Sequence, residues 1–450
     1  MTDPPAARMT AGARLAELDV LELTIDKLIA GGEGIGRFEG IPIFVPRSAP
    51  QDRLRVRLVE RRTGYGRAEI LEVLQPSPAR RQAPCPHFEP CGGCDLQHID
   101  DAQQVRYKAE AVLDTLGHLS GLDLPPPRIY ADQPWGYRLR TQIHTRVEGD
   151  RRPRVGYYAR GTQKLVPVDA CPVLLPVLEN QLQELPAALS GDAPRRIDWV
   201  AGDDGQVSSA PVVAGLPQGP VGLAVETAVG KLRYVFDARC FFQGHRGLLG
   251  ELIDVVIGEW QGDQAFDLYA GVGLFSVPLA RRYRRVTAVE GDRVAVRYAR
   301  RNLRQNQIVE KKDGEARQGK VVAYALDSWV KKLPAAADRV IVDPPRQGLQ
   351  KSVRWALRRV LPARLTYVSC HPATLARDLQ EFDASYRVES LALFDLFPQT
   401  GHMEAVVQLA RRSGAEPVVD RPFPARPRRS PGRPRGGRPG GRPRRGSVRG

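Results

Sequence analysis

The chain has 450 residues, 42% of them hydrophobic, and a formal net charge of +16. At roughly 100 to 200 residues per domain this suggests about three domains with real cores, and no run reaches the ~18 apolar residues of a membrane-crossing helix. The opening MTDPPAARMTAGARLAEL lacks the apolar stretch of a secretory signal, so a cytoplasmic protein is expected.

Residues 1–18 are expected to be disordered. Residues 19–77 consist of short β-rich runs punctuated by Gly, Pro and Asp, the pattern of a small OB-like barrel. Within it Leu54, Val56 and Leu58 alternate with Arg53, Arg55 and Arg57. Period two puts the apolar set inside and the three guanidinium groups on one outer face. Such a face is either solvated surface or a seat for an RNA backbone, and the alternation leaves both open.

Residues 78–237 are mixed in pattern. They hold CPHFEPCGGC, with Cys85, Cys91 and Cys94, a helical stretch DDAQQVRYKAEAVLDTLGHL, the strand-like runs YRLRTQIHTRV and RVGYYAR, and Cys171 in DACPVL. In a reducing compartment, clustered thiols are more often metal ligands or catalytic groups than disulfides.

From 238 to 412 strands and helices alternate. QAFDLYA, RVTAVEG, VVAYALD, DRVIVDPP and RLTYVSC read as strands, with GLFSVPLARRY, DRVAVRYARRNLRQNQ, SVRWALRRVL and PATLARDLQEF as helices, and a strand pair around YRVESLALFDLF and MEAVVQLA closes the set. Repeated βα units imply a parallel sheet with helices on both faces, and such a sheet binds its ligand at the carboxyl ends of its strands. There Gly271 and Gly273 let the backbone approach a ligand closely. Ser276 stands where a dinucleotide fingerprint has its third glycine, which counts against pyrophosphate. Glu290, Asp327 and Asp343 are expected at three successive strand ends, an arrangement that suits a nucleoside carrying a positive charge. The fifth strand delivers Cys370. Pro372 is placed to open the next helix, whose N-terminal amides would favour thiolate. Beyond it TGHMEAVV brings His402 and Glu404 toward the same sheet edge.

The stretch from Arg421 to Gly450 holds eleven arginines and no acid, so +11 of the +16 lies there. With almost no apolar residues it cannot offset its own ordering entropy, and residues 413–450 are expected to be a disordered basic tail that binds nucleic acid.

With CPHFEPCGGC, FFQ, DLYAGVGLF, DPPRQG, SCHPATLARD and TGHME together, the chain from about residue 20 to 412 resembles the RNA uracil carbon-5 methyltransferase family, in the iron-sulfur form with an N-terminal TRAM barrel that modifies ribosomal RNA. The fold this implies is α/β: a Rossmann-like class I methyltransferase domain, an N-terminal OB-like β-barrel (TRAM) and a central α+β iron-sulfur domain. Carried over residue by residue, Cys370 is the nucleophile and Glu404 the base. Gln243, Tyr269, Glu290 and Asp343 contact S-adenosylmethionine, with Asp327 near the adenine. Cys85, Cys91, Cys94 and Cys171 hold a 4Fe-4S cluster. Radical enzymes that cleave S-adenosylmethionine use Cys-x3-Cys-x2-Cys and leave one iron open, whereas here the spacing is Cys-x5-Cys-x2-Cys and Cys171 supplies a fourth thiolate. The cluster is therefore expected to be structural or RNA-contacting, although zinc would accept the same four sulfurs.

The implied partner is 23S ribosomal RNA, with transfer RNA as the alternative, bound by a monomer. A non-catalytic RNA-binding module with a zinc knuckle is a second reading, opposed by the presence of Cys370, Glu404 and the acids. A methylthiotransferase is a third, and its cysteine spacing and domain order would differ. The chain departs from the family's common pattern in GHRG after Gln243, in Leu274, and in SCHP where SCNP is commoner.

Overall fold

The computed structural model describes residues 15, 18–147, 153–189, 193–309, 318–335 and 337–418. The tail from Arg421, and all but Leu15 and Leu18 of residues 1–18, lie outside the described residues.

Strands β1 (Val20–Leu28), β2 (Gly34–Phe38), β3 (Ile41–Val45), β4 (Arg53–Arg61) and β5 (Gly66–Gln75) close into a barrel in the order β1-β2-β3-β5-β4. The predicted alternation holds. Leu21, Leu23, Ile25, Leu54, Val56 and Leu58 fill the interior, each burial contributing about 1.5–3 kcal/mol. Outside, the three β4 arginines are exposed but not free. Arg53 pairs with Glu22 at 3.1 Å, Arg55 with Glu72 at 2.6 Å, and Arg57 with Glu69 at 3.0 Å. Acids on the flanking strands neutralise this face.

The segment between the barrel and residue 237 is shared among several sheets. β6 (Arg128–Tyr130) leaves it to pair in parallel with residues 392–394 at the edge of the large C-terminal sheet. β7 (Arg140–Arg146), β8 (Arg154–Tyr158), β9 (Leu165–Pro167), β10 (Arg196–Ala201) and β11 (Val207–Ala210) form an antiparallel sheet ordered β11-β10-β7-β8-β9. Helix Pro176–Ala188 packs on it, burying Leu178, Leu182 and Leu185, which share one helix face. β12 (Val221–Val225) and β13 (Leu232–Phe236) make a hairpin.

The last region is the predicted α/β sheet. β14 (Gly262–Leu268), β15 (Tyr283–Glu290), β16 (Gln318–Ala323), β17 (Arg339–Val342), β18 (Arg364–Ser369), β19 (Tyr386–Phe394) and β20 (Glu404–Arg411) assemble with β6 in the order β16-β15-β14-β17-β18-β20-β19-β6. β14 to β18 are mutually parallel, whereas β20 runs antiparallel between β18 and β19. The strand order reverses between β14 and β17, which opens a crevice at their carboxyl ends. One expectation fails there. β16 stops at Ala323, and Asp327 lies in the short helix Leu326–Trp329, exposed, rather than at the strand end. Among the described residues no helix is long and apolar enough to cross a membrane.

Helix Asp101–Ser120 joins the parts. Asp100 caps it by accepting from the Ala102 N–H at 3.0 Å, and it ends at Gly121 with φ +64°. It packs against helix Pro372–Phe382 and sends Lys108 inward to Asp395, Nζ to Oδ1 2.6 Å, both side chains almost wholly buried. Removing one partner of such a pair leaves a lone buried charge. Lys108→Ala should therefore lower stability by about 3–5 kcal/mol, seen as a lower urea midpoint at unchanged slope, and Lys108→Met with Asp395→Leu should recover most of the loss.

Candidate active site

The turn after β14 is shaped by left-handed residues: Tyr269 has φ +69°, Gly271 +54° and Gly273 +87°. It is held from the neighbouring strand end. The Gly271 N–H donates to Glu290 Oε2 at 2.8 Å, and Glu290 Oε1 accepts from the Asp292 N–H at 2.7 Å. A carboxylate offers about four acceptor positions, so Glu290 is oriented by the turn and keeps capacity for a ligand.

Beneath the turn lies Asp267, fully buried, with Oδ2 accepting from the Ser276 hydroxyl. The residue that breaks the dinucleotide fingerprint thus serves this carboxylate. Burial raises Asp267 to about 7, and burial together with the Asp267 charge raises Asp343, at the end of β17, to about 7 as well. On this strand and turn two buried polar atoms, Asp267 Oδ1 and Tyr269 Oη, have no hydrogen-bond partner among the described residues, and elsewhere in the chain Gln243 Oε1 is also without one. An unpaired buried polar atom costs about 1–3 kcal/mol.

Two sequence departures find structural reasons. His245, fully buried, stacks on Tyr137 with centroids 4.7 Å apart, and Leu274 is a core residue whose carbonyl accepts from the Tyr234 hydroxyl at 2.9 Å.

On the other side of the crevice, the β18–β20 register sets Ser369 against Ala405. The residue after Ser369 and the one before Ala405 are Cys370 and Glu404, so antiparallel pairing brings a thiol and a carboxyl group opposite one another across adjacent strands. The third departure acts locally: His371 caps helix Pro372–Phe382, its Nδ1 accepting from the Thr374 N–H at 3.3 Å. An asparagine at that position would cap in the same manner.

The thiol is not activated as the helix terminus suggested. Burial, and next the Glu404 carboxylate, push Cys370 up to about 11, against a smaller pull from Arg346. Glu404, 3% exposed, is itself held well above the usual carboxylate range by burial and by Asp343. His402 is kept neutral by burial and lies 2.9 Å from an Arg346 guanidinium nitrogen. A cavity of about 390 Å³ opens on Cys370, walled by Arg346, His371, His402 and Gly401 and, from the barrel, Ile29 and Gly31. The barrel therefore forms part of the wall of the Cys370 pocket.

A second cavity, of about 280 Å³, is lined by Cys85, Cys91, Cys94 and Cys171 together with Arg138 and Tyr157. Burial raises Cys94 to about 12 and Cys171 to about 11, while Arg138 acts on both in the opposite direction. No carboxylate among the described residues pairs with Arg138, whose Nε donates instead to the Arg140 carbonyl at 3.0 Å. A cation facing four thiols suits an anionic occupant. Among the described residues no three His, Cys, Asp or Glu side chains stand close enough to hold a single metal ion.

One helix face carries arginines with no acidic partner among the described residues. Helix Arg293–Gln305 exposes Arg297, Arg301 and Arg304, which share one face and line a broad depression with Arg300 and with Arg239, itself paired with Asp237. The helix itself is legible in the sequence, but its unpaired basic face and the parts played by Asp267, Arg138 and Arg346 are not, because nothing local distinguishes such residues from ordinary core or surface.

Residues 223–412 match the tRNA (Uracil-5-)-methyltransferase family, and residues 16–71 match the TRAM domain. A 23S rRNA (uracil(1939)-C(5))-methyltransferase of Klebsiella pneumoniae is 31% identical over 440 residues, covering 90% of this chain and 98% of that protein. An uncharacterized RNA methyltransferase of Protochlamydia amoebophila is 30% identical over 432 residues, covering 87% of this chain and 98% of that protein. Among solved structures, the tRNA (uracil-54, C5)-methyltransferase of Pyrococcus abyssi in complex with S-adenosyl-L-homocysteine superposes with a TM-score of 0.65 at 24% identity, covering 86% of this chain and 100% of that one.

With the thiol raised to about 11, only about one Cys370 in a thousand is ionised near pH 8. Alkylation of the Cys370 peptide by iodoacetamide in the free protein should accordingly be slow there and climb about tenfold per pH unit up to about pH 10. A rate that levels off below about pH 8 would contradict the raised value.

Proposed function

The chain belongs to the RNA uracil-C5 methyltransferase family, and we propose that its substrate is a uridine of 23S ribosomal RNA, as the name of the Klebsiella relative indicates for that protein. The chain catalyses S-adenosylmethionine-dependent methylation of uracil carbon 5 in RNA. The observation that carries the mechanism is the placing of Cys370 against Glu404, beside the crevice with its unpaired polar atoms.

Gln243, Tyr269, Glu290 and Asp343 would hold the methyl donor, with Asp327 at the rim toward the adenine. When bound, S-adenosylmethionine supplies a methyl group on a cationic sulfur. Burial favours the neutral forms of Cys370 and Glu404 in the free protein, and it also makes both sensitive to any cation brought into the crevice, which favours thiolate and carboxylate. Uracil carbon 5 is a weak nucleophile. The Cys370 thiolate adds to carbon 6, forming an S–C6 bond and moving the C5–C6 π electrons into an enolate. Carbon 5, now electron-rich, accepts the methyl group. Glu404 removes the proton left on carbon 5, the C5–C6 double bond re-forms, and the S–C6 bond breaks to return the thiolate. The base must leave its stack to expose carbon 6 to the thiolate, and the cavity at Cys370 is the place for it.

For the surrounding RNA, the unpaired arginines of helix Arg293–Gln305 are better suited than the neutralised arginines of β4, since only uncompensated cations release counterions from phosphates.

The thiol pocket is proposed to hold a 4Fe-4S cluster on Cys85, Cys91, Cys94 and Cys171. The four-thiol lining and the uncompensated Arg138 suit an anionic thiolate-ligated group; zinc would take the same donors, and the choice of iron-sulfur rests on the family resemblance.

Two experiments check these readings. Cys370→Ala should abolish turnover and every covalent RNA complex. Glu404→Gln should add and methylate but stall, leaving a methyl-labelled RNA–protein adduct as a retarded band on a denaturing gel. A labelled adduct formed by Cys370→Ala would move the nucleophile to Cys240. Anaerobically purified protein should be brown, absorbing near ~400 nm, and Cys91→Ala should bleach it; colourless protein with stoichiometric zinc would overturn the cluster.

A further inference from the structure

We infer that Asp95 is a positioning residue for the methylation reaction, holding in place the loop that carries Glu404. This rests on Glu404 being the base.

The loop from Asp395 to Met403 joins β19 to β20, and Glu404 is the first residue after it. Its centre is strained. Gln399 is fully buried with φ +68°, a left-handed conformation that costs a non-glycine residue about 1 kcal/mol or more. Such a conformation persists only when its surroundings over-determine it. Few bonds within the loop do so: Thr400 N–H and Oγ1 to the Phe397 carbonyl at 3.1 and 2.8 Å, and a long His402 N–H to Thr400 Oγ1 at 3.4 Å.

The restraint comes from outside. The N–H groups of Asp95 and Leu96 both donate to the Gln399 carbonyl, at 2.8 and 3.0 Å. The Asp95 side chain accepts from the Gly401 N–H at Oδ2, 3.0 Å, while Oδ1 pairs with Arg160. Arg160 also donates to the Cys94 carbonyl at 3.3 Å. Asp95 thus grips the loop twice, with its main chain at Gln399 and its side chain at Gly401. From helix Asp101–Ser120, Gln104 exchanges hydrogen bonds with Gln399 at 2.9 and 3.2 Å, and Asp101 accepts from Gln399 Nε2 at 2.6 Å. Asp95 does not line the Cys370 cavity.

The consequence is selective. Cys370 is placed by β18 and by the capped helix behind it, whereas the hydrogen bonds of Asp95 go to Gln399, Gly401 and Arg160. Loosening the loop moves Glu404 relative to carbon 5 and relaxes the Gly401–His402 wall of the cavity, while the backbone that carries Cys370 stays held by β18 and its helix. Addition and methyl transfer then proceed, while proton removal slows. The segment with Cys85, Cys91 and Cys94 is in this way coupled to the last chemical step, through the residue that follows Cys94.

The test uses full-length protein purified anaerobically, with Glu404→Gln as reference. Asp95→Ala should lower turnover by about tenfold, as a small misplacement of a catalytic group does, and should accumulate the methyl-labelled adduct with RNA affinity and iron content unchanged. Asp95→Asn keeps an acceptor for the Gly401 N–H and should recover turnover and clear the adduct. Gln104→Ala, which removes the bonds to Gln399 without touching the thiol segment, should also accumulate adduct with colour intact. That variant decides the matter if Asp95→Ala loses iron. If Glu404→Gln accumulates adduct and neither Asp95→Ala nor Gln104→Ala does, the positioning role is wrong; if Glu404→Gln itself accumulates none, the base assignment fails instead.

Discussion

Backbone polar groups buried away from water must find partners, and the loop Asp395–Met403 is buried where every major part of the chain meets. Its carbonyls and amides are satisfied by others: Gly31 of the barrel donates to the Gly401 carbonyl at 3.1 Å, Tyr137 to the Pro398 carbonyl at 2.9 Å, and Lys108 to the Phe397 carbonyl at 3.3 Å, beside the bonds from Asp95 and Leu96. The approach is so close that a Cβ on Gly401 would lie 2.1 Å from the Gly31 carbonyl carbon. No side chain other than hydrogen fits there. This single junction ties the barrel, the thiol segment and the methyltransferase sheet to the residue before which they converge, Glu404.

The second organising feature is the low dielectric of the crevice. Asp267, Asp343, Glu404 and Cys370 lie in one buried region, and each is displaced toward its neutral form by burial first and by its neighbours next. Several like charges cannot be ionised together in such a place. The crowding disfavours ionisation of all of these groups at once, and a cation brought into the crevice would relieve it, which agrees with a donor whose reactive atom is positively charged.

Charge elsewhere is divided by pairing rather than by number. The arginines of β4 face acids on β1 and β5 and are spent on the barrel's own surface. Those of helix Arg293–Gln305 face solvent on three successive turns and have no such partners among the described residues. Exposed pairs contribute ~0–1 kcal/mol to stability, so their effect here is chiefly to decide which surface remains attractive to a polyanion.

What the sequence by itself determined was whatever is written locally. Period-two alternation placed the barrel interior at Leu54, Val56 and Leu58, alternating βα patterns announced the sheet, and Gly271 and Gly273 marked its ligand turn. Pro372 opens its helix as read. Cys370 and Glu404 could be nominated from short motifs, but 33 residues separate them in the chain, and only the insertion of β20 between β18 and β19 makes them neighbours. The tertiary structure likewise decided that Asp327 sits past its strand, that burial outweighs the helix terminus at Cys370, that β4's arginines are neutralised, and that Asp95 reaches Gly401. Periodicity and turn chemistry follow from each residue and its nearest neighbours. Desolvation and charge pairing depend on which distant segments are brought into contact, and that is settled only when the chain is packed.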